Sequence, residues 1–286
     1  MSQSESVVAC FDTNVFDHLE QRSNGVTEWD LYRLRRAVKH GCVRLVLSFL
    51  NIEETLFLVR SQPKRADARV KLILELGDKG LFAVGQEVIM NNDICAYARG
   101  TPRIAPFISM DPWTELNIRN LIQPTGSYLE ELHDLVEENR QDKIRFQNFL
   151  DEGKAKMKPM ADSIGAKRYP FERYWNNNSG WLVEGLADHA GVLSAVKQRG
   201  VAGLLKIKSV ALAVGANLSL LYSHQFGNRA PESGDSRDML HAIVASIADV
   251  FVTNDKALGA VLSHIPVDSF KVMNLAAFLE SLPKWV

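Results

Sequence analysis

Long hydrophobic runs are missing from this sequence. The most apolar stretch, Val210 to Tyr222, falls short of the roughly 20 residues a membrane-spanning helix needs. Cysteine is scarce too. Cys10, Cys42 and Cys95 give no disulfide framework and suggest a reducing compartment. Cys10 and Cys42 sit in or beside apolar strand runs and read as core thiols. No His/Cys group has the spacing of a zinc site. The N-terminus is polar and lacks a basic start, so no signal peptide is visible. Neither sign of charge dominates: Lys plus Arg is 33, Asp plus Glu is 34, and the formal net charge is -1. A nucleic-acid partner would therefore need a local basic patch, because phosphate contacts drive such affinity. There is no internal repeat and no low-complexity tract. These absences point to a soluble, cytoplasmic protein with no membrane partner.

What is present is a globular composition. Of 286 residues, 46% are hydrophobic and 23% charged, enough for one large domain or two ordinary ones. Apolar runs of strand length end on polar residues. Val7–Phe11 passes at once into Asp12-Thr13-Asn14. Val43–Ser48 passes into Phe49-Leu50-Asn51-Ile52-Glu53-Glu54, which looks like a helix start. Near the C-terminus, Asp238 opens a helix whose Ala242, Ala245 and Ala248 recur at helical spacing, and Phe251-Val252 leads to Thr253-Asn254-Asp255. In an open α/β sheet, the ends of strands and the starts of the following helices open onto one crevice. Converging carboxylates there cost energy unless positive charge lies between them. Hard divalent ions such as Mg²⁺ or Mn²⁺ prefer such oxygen ligands.

Asp12-Thr13-Asn14-Val15, Ser48 followed by Glu53, Asp238 with His241-Ala242, and Val252-Thr253-Asn254-Asp255 together resemble the PIN-domain nucleases. That family includes the toxin ribonucleases of toxin–antitoxin pairs. Phe270–Asn274 with Ala277-Phe278-Leu279 resembles its last strand and closing helix. The likeness covers roughly residues 5–90 and 230–282. It implies an α/β fold with a parallel five-stranded sheet sandwiched by helices. PIN-like parts over 1–90 and 230–286 would flank a helical insertion, 91–229, for substrate or partner recognition. It implies a divalent-metal-dependent endoribonuclease, with Mg²⁺ or Mn²⁺ held by Asp12, Glu53, Asp238 and Asp255, and Glu54 as the alternative to Glu53. Thr13, Asn14, Asp235, Thr253 and Asn254 would support them, Asp235 more simply as a helix cap. His241, one turn beyond Asp238, reads as a packing or locally hydrogen-bonding residue. RNA, such as tRNA, is the implied substrate, with single-stranded DNA a second polymer to test. An antitoxin-like protein and a homodimer are the partners the likeness suggests. A non-catalytic RNA-binding protein is the rival reading. An aspartyl phosphatase fits poorly, because Asn14 stands where a second Asp is usual.

One stretch carries the basic and aromatic residues an RNA site needs. Residues 140–173 hold nine Lys or Arg against five Asp or Glu, and Tyr169, Phe171, Tyr174 and Trp175 follow closely. Lys154, Lys156, Lys158, Lys167, Arg168, Arg173, Arg229 and Arg237 are the candidate RNA contacts, by phosphate pairing beside base stacking. The same pattern also suits a charged helix leading into a core aromatic cluster. Another helix is expected from Glu28 to His40, and its bases read as a solvated helix face ahead of an RNA contact. Its apolar stripe reads as Trp29, Leu31, Leu34 and Val38, with Arg33, Arg35, Arg36 and Lys39 mostly outside.

Overall fold

A computed structural model describes residues 6–122, 127–164, 169–226, 235–263, 265, 267 and 270–282. Strand β1 (Val7–Phe11) leads into helix α1 (Thr13–Gln21). Helix α2 (Glu28–Lys39) opens with a capping box between Thr27 and Asp30, and strand β2 (Val43–Leu47) follows. Helices α3 (Phe49–Leu56) and α4 (Pro63–Leu76) precede strand β3 (Gly77–Ala83). Next come α5 (Gln86–Arg99), the short strand β4 (Phe107–Ile108), α6 (Pro112–Ile122) and α7 (Ser127–Ile164). Helices α8 (Phe171–His189), α9 (Leu193–Arg199) and α10 (Lys208–Phe226) complete the middle of the chain, with a 3-10 turn at Val201–Lys206. The last part holds α11 (Asp235–Ala245), β5 (Val250–Val252), α12 (Lys256–Ser263), β6 (Lys271–Met273) and α13 (Leu275–Ser281).

The sheet runs β4-β3-β2-β1-β5-β6. It has six strands and is mixed, where five parallel strands were expected. The additional strand is β4, antiparallel to β3 through Phe82↔Ile108 and Ala83↔Phe107. Two residues give no periodicity to read, so β4 is invisible in the sequence. β3 also begins earlier than its apolar part, Leu81-Phe82-Ala83. Gly77 and Gly80 look like breakers but lie within the strand, where the register with β2 jumps from Val46↔Asp78 to Leu47↔Phe82. A bulge of this kind is where glycine is tolerated in a strand.

Side chains alternate across the sheet and divide its core in two. Ala9, Phe11, Leu45, Leu47, Val250 and Val252 face one side, against α1, α2, α4 and α13. Cys10, Val46 and Phe251 face the other, against α5, α8, α10 and α11. Central strands buried on both faces explain why the runs read as continuously apolar. The segment 91–229 supplies α8 and α10, so it covers one face of the sheet. Within it, α8 and α9 are separate helices, and the 3-10 turn precedes α10. Gly191 (φ 69°) takes a left-handed conformation between α8 and α9. Helix α8 runs through Asn176-Asn177-Asn178, and α7 extends well past Leu150, the expected end of that helix.

β1 lies between β2 and β5. From it the chain moves through β2 to β3 on one side, and β5 and β6 occupy the other. The C-terminal ends of β1 and β5 therefore flank a topological switch point, where a crevice opens in α/β sheets.

At the bulge, a Cβ on Gly77 would stand 1.9 Å from Leu47 Cδ2 and 2.9 Å from the Ile73 carbonyl oxygen. Gly77→Ala is expected to lower stability by about 1–3 kcal/mol through overpacking. A urea midpoint unchanged from the parent would contradict this packing.

Candidate functional site

Asp12 leaves β1 with an extended backbone (φ -67°, ψ 154°), and its amide donates to the Val252 carbonyl at 3.0 Å. The carboxylate is thus planted between β1 and β5, and it is only 6% exposed. Its Oδ2 accepts from Thr253 Oγ1 at 2.7 Å and from Asn14 Nδ2 at 2.5 Å. Asn14 Oδ1 accepts from the Asn254 amide at 3.2 Å, and Asn254 Oδ1 accepts from the Leu275 amide at 2.9 Å. These bonds tie the loop after β5 to the start of α1 on one side and to α13 on the other.

Helix α3 brings the second carboxylate. Ser48 caps it, its Oγ accepting from the Leu50 amide at 3.2 Å. Buried Asn51 donates to the Phe11 carbonyl at 3.0 Å and to Thr13 Oγ1 at 3.1 Å. Thr13 in turn bonds the side chain of Glu54. Glu54 Oε2 then lies 3.1 Å from His241 Nε2, and Asp12 Oδ1 lies 3.5 Å from the same nitrogen. Asp12, Glu54 and His241 each offer one ligand atom, all within 4.8 Å of one another. Two oxygens and an imidazole nitrogen are a donor set that fits a divalent ion. Carboxylates suit Mg²⁺ and Mn²⁺ alike, and the imidazole is the better partner for Mn²⁺.

The electrostatics follow from the burial. Desolvation raises the Asp12 carboxyl above its ordinary range, opposed by the charge of His241 and the bond from Thr253. Burial would raise Glu54 too, but the His241 charge, the bonds from His241 and Thr13, and Arg237 outweigh it and bring Glu54 to about 2. Burial would lower His241. The charges of Glu54 and Asp12, the bond to Glu54 and the charge of Asp238 win, raising it to about 9. The imidazolium is therefore the positive charge that lets the two carboxylates share a buried site. Cys10 sits below Asp12; burial first, and Asp12 second, push its thiol up to about 12, so it stays protonated.

The expected residues fall into three groups. Asp12, Thr13, Asn14, Thr253 and Asn254 lie in this network. Glu53 does not: it turns to Arg237, which grips it with two 2.8 Å bonds and stacks over Phe57 at 5.7 Å. Glu54 takes the place expected for Glu53. Adjacent helix positions differ by 100°, and the face of α3 that meets β1 is set by Asn51 and Thr55, so Glu54 falls on it. Those two polar residues, one turn apart on the helix, are the sequence signal for that choice. Asp238 lies one turn before His241 on α11, outside the close group. Asp255 is half-buried, and its Oδ1 accepts from the Ala257 and Leu258 amides at 2.7 and 2.9 Å, making it the cap of α12. His241, read as a packing or locally hydrogen-bonding residue, bonds Glu54 and is a member of the group.

The aromatic RNA surface is corrected. Tyr169, Tyr174 and Trp175 are buried, and Tyr169 stacks on Phe226 at 5.1 Å. Tyr222 donates to the Tyr169 carbonyl at 2.6 Å and Tyr174 to Gln225 Oε1 at 2.7 Å. These rings are core and offer bases no face. Arg173 is exposed and lies over the Tyr169 ring at 5.5 Å. The side chains of Lys154, Lys156, Lys158, Lys167, Arg168, Arg229 and Asp235 lie outside the described residues.

Comparison of this chain with family models, with curated proteins and with solved structures finds no match. Its own geometry therefore carries the argument for function. Among the described residues no helix is long and apolar enough to cross a membrane.

Two measurements check this geometry. Asn51→Ala leaves buried partners unsatisfied and is expected to cost about 1–3 kcal/mol in unfolding free energy. The second is pH dependence without metal. With a folded value near 9 against an ordinary 6.5, His241 stabilises the fold fully below about pH 6.5, and this is lost as pH rises through about 9. The metal-free Tm should fall across that interval, and His241→Gln should flatten the fall. A Tm that rises across it would contradict the buried imidazolium.

Proposed function

We propose that this chain is a divalent-metal-dependent phosphodiesterase acting on RNA, an endoribonuclease of the PIN-domain kind. The observation that carries the proposal is the convergence of Asp12, Glu54 and His241 atoms within 4.8 Å at the sheet's switch point. Asp12 and Glu54 would hold Mg²⁺ or Mn²⁺, with His241 Nε2 as third donor once its proton is lost. A bound divalent ion makes water a stronger nucleophile at neutral pH and neutralises charge on a phosphate. Thr253 and Asn14 fix the Asp12 carboxylate in one rotamer, and Thr13 does the same for Glu54. Asp238 deepens the negative field around the group. Arg237, held by Glu53 and Phe57, brings a guanidinium beside the carboxylates, where a phosphodiester needs a cation. By likeness to PIN nucleases, the products would carry 5′-phosphate and 3′-hydroxyl ends.

One observation favours the rival, a non-catalytic RNA-binding protein. His241 already bridges Asp12 and Glu54 and could serve as their permanent counter-ion. The two readings part on metal binding. If the nuclease reading holds, Mn²⁺ raises the Tm, because a ligand of the folded state stabilises by mass action, about 2.7 kcal/mol at a hundredfold excess over Kd. Asp12→Asn and Glu54→Gln should each remove that shift and lower RNA cleavage at least about a hundredfold. Glu53→Gln should retain the Mn²⁺ shift. Cleavage unaffected by EDTA, or lost in Glu53→Gln and kept in Glu54→Gln, would overturn this assignment.

A further inference from the structure

Two large rings are in water, and one of them, Trp29, was expected in the buried apolar stripe. Trp29 is 61% exposed and Tyr32 is 46% exposed, both on α2. They stack on each other, with ring centroids 5.2 Å apart and planes 24° from parallel. Arg36 lies over the Tyr32 ring at 5.9 Å, extending the stack by a cationic plane. Positions 29, 32 and 36 are spaced as neighbours on one helix face.

The charge on this helix is selective. Glu28 pairs with Arg22, Asp30 is spent in the capping box with Thr27, and Arg35 pairs with Glu75. Arg33 donates to the Leu282 carbonyl and, among the described residues, forms no ion pair with a carboxylate. Among the described residues, neither Arg36 nor Lys39 has a carboxylate partner. An exposed ring pair with spare cations beside it is what unpaired nucleotides need: flat faces for bases and positive charge for phosphates.

The strip lies beside a cleft that reaches the loop after β5. A cleft of about 710 Å³ lies between α2, the loop after β5 and the start of α13, lined in part by Arg33, Asn254, Asp255 and Lys256. Its far wall includes Thr253, which bonds Asp12. Trp29 is one helical turn before Arg33, so the cleft's α2 wall adjoins the ring pair.

We infer that the outward face of α2, Trp29, Tyr32, Arg36 and Lys39, binds unpaired nucleotides, and that the cleft past Arg33 leads the strand to Asp12. This rests on the phosphodiesterase reading for the path of the strand; the binding itself is tested without cleavage. Ring stacking does not separate RNA from DNA, so both are used.

The experiment is fluorescence anisotropy with a labelled, unstructured strand of about 12 nucleotides, as RNA and as DNA, in EDTA. Wild type should bind at least one of them. Trp29→Ala/Tyr32→Ala should weaken that binding about tenfold or more. Arg36→Ala/Lys39→Ala should weaken it and reduce the slope of affinity against salt. All four side chains are at the surface, so both variants should keep the wild-type Tm, and Trp29→Phe/Tyr32→Phe should retain most of the affinity. Binding that is absent from wild type, or unchanged by removal of the rings, would overturn the inference. So would sedimentation showing a wild-type dimer that the ring variant splits, since a second copy would then cover this face. Failure of the nuclease reading would appear as loss of Mn²⁺-dependent cleavage with this binding intact.

Discussion

A carboxylate buried between two parallel strands is the constraint around which the rest is arranged. Asp12 is nearly out of water, and charge in such a place must be compensated. The compensation comes from Asn14 close by at the start of α1, and from two distant parts of the chain: Thr253 after β5 and His241 on α11. Each partner draws in another. Asn14 holds Asn254, which holds α13; His241 requires Glu54, which requires Thr13, which is held by Asn51. One buried charge therefore fixes how α1, α3, α11 and the loop after β5 meet at the sheet edge. Preorganisation of this kind is what a site that must stabilise developing charge needs.

The two faces of the sheet divide the labour. α1, α2, α4 and α13 cover one face. The other is covered by α8 and α10 together with α5 and α11, so the middle of the chain is part of the sandwich as well as the feature that sets it apart from a compact fold of this kind. Its aromatic residues went inward for that reason. Tyr169, Tyr174, Tyr222 and Phe226 fill the space between α8 and α10, where large rings bury much area. Trp29 and Tyr32 stay in solvent on α2, where Leu31, Leu34 and Ala37 already fill the contact with the sheet.

Much of this was legible in the sequence. The strand runs at Val7–Phe11 and Val43–Leu47, each passing into a polar junction, can be read directly, because two-sided burial forces apolar residues at both phases of a strand. The junction residues Asp12, Thr13, Asn14, Thr253 and Asn254 follow from the same pattern. Less legible were features set by the phase of a helix. Glu53 and Glu54 are adjacent carboxylates on α3, and which one faces Asp12 depends on how α3 sits against β1. Trp29 falls close enough to the apolar stripe of α2 to be read as buried, yet its position on the wheel lies beyond what the sheet can reach. Asp255 looks like any acid after a strand; only the course of the chain into α12 makes it a cap.

By itself the sequence determined the local grammar: alternating α and β elements at both ends of the chain, buried parallel strands, and acids at strand ends. These follow from short-range periodicity and from chain polarity, which need no knowledge of distant contacts. The tertiary structure alone decided which carboxylate meets His241, which rings are inside and which are wet, and that a two-residue strand from the middle of the chain closes the sheet's edge. Those outcomes depend on the relative rotation and depth of segments that meet only in the folded chain. A shift of one position turns a helical side chain by 100°, and only packing fixes that angle.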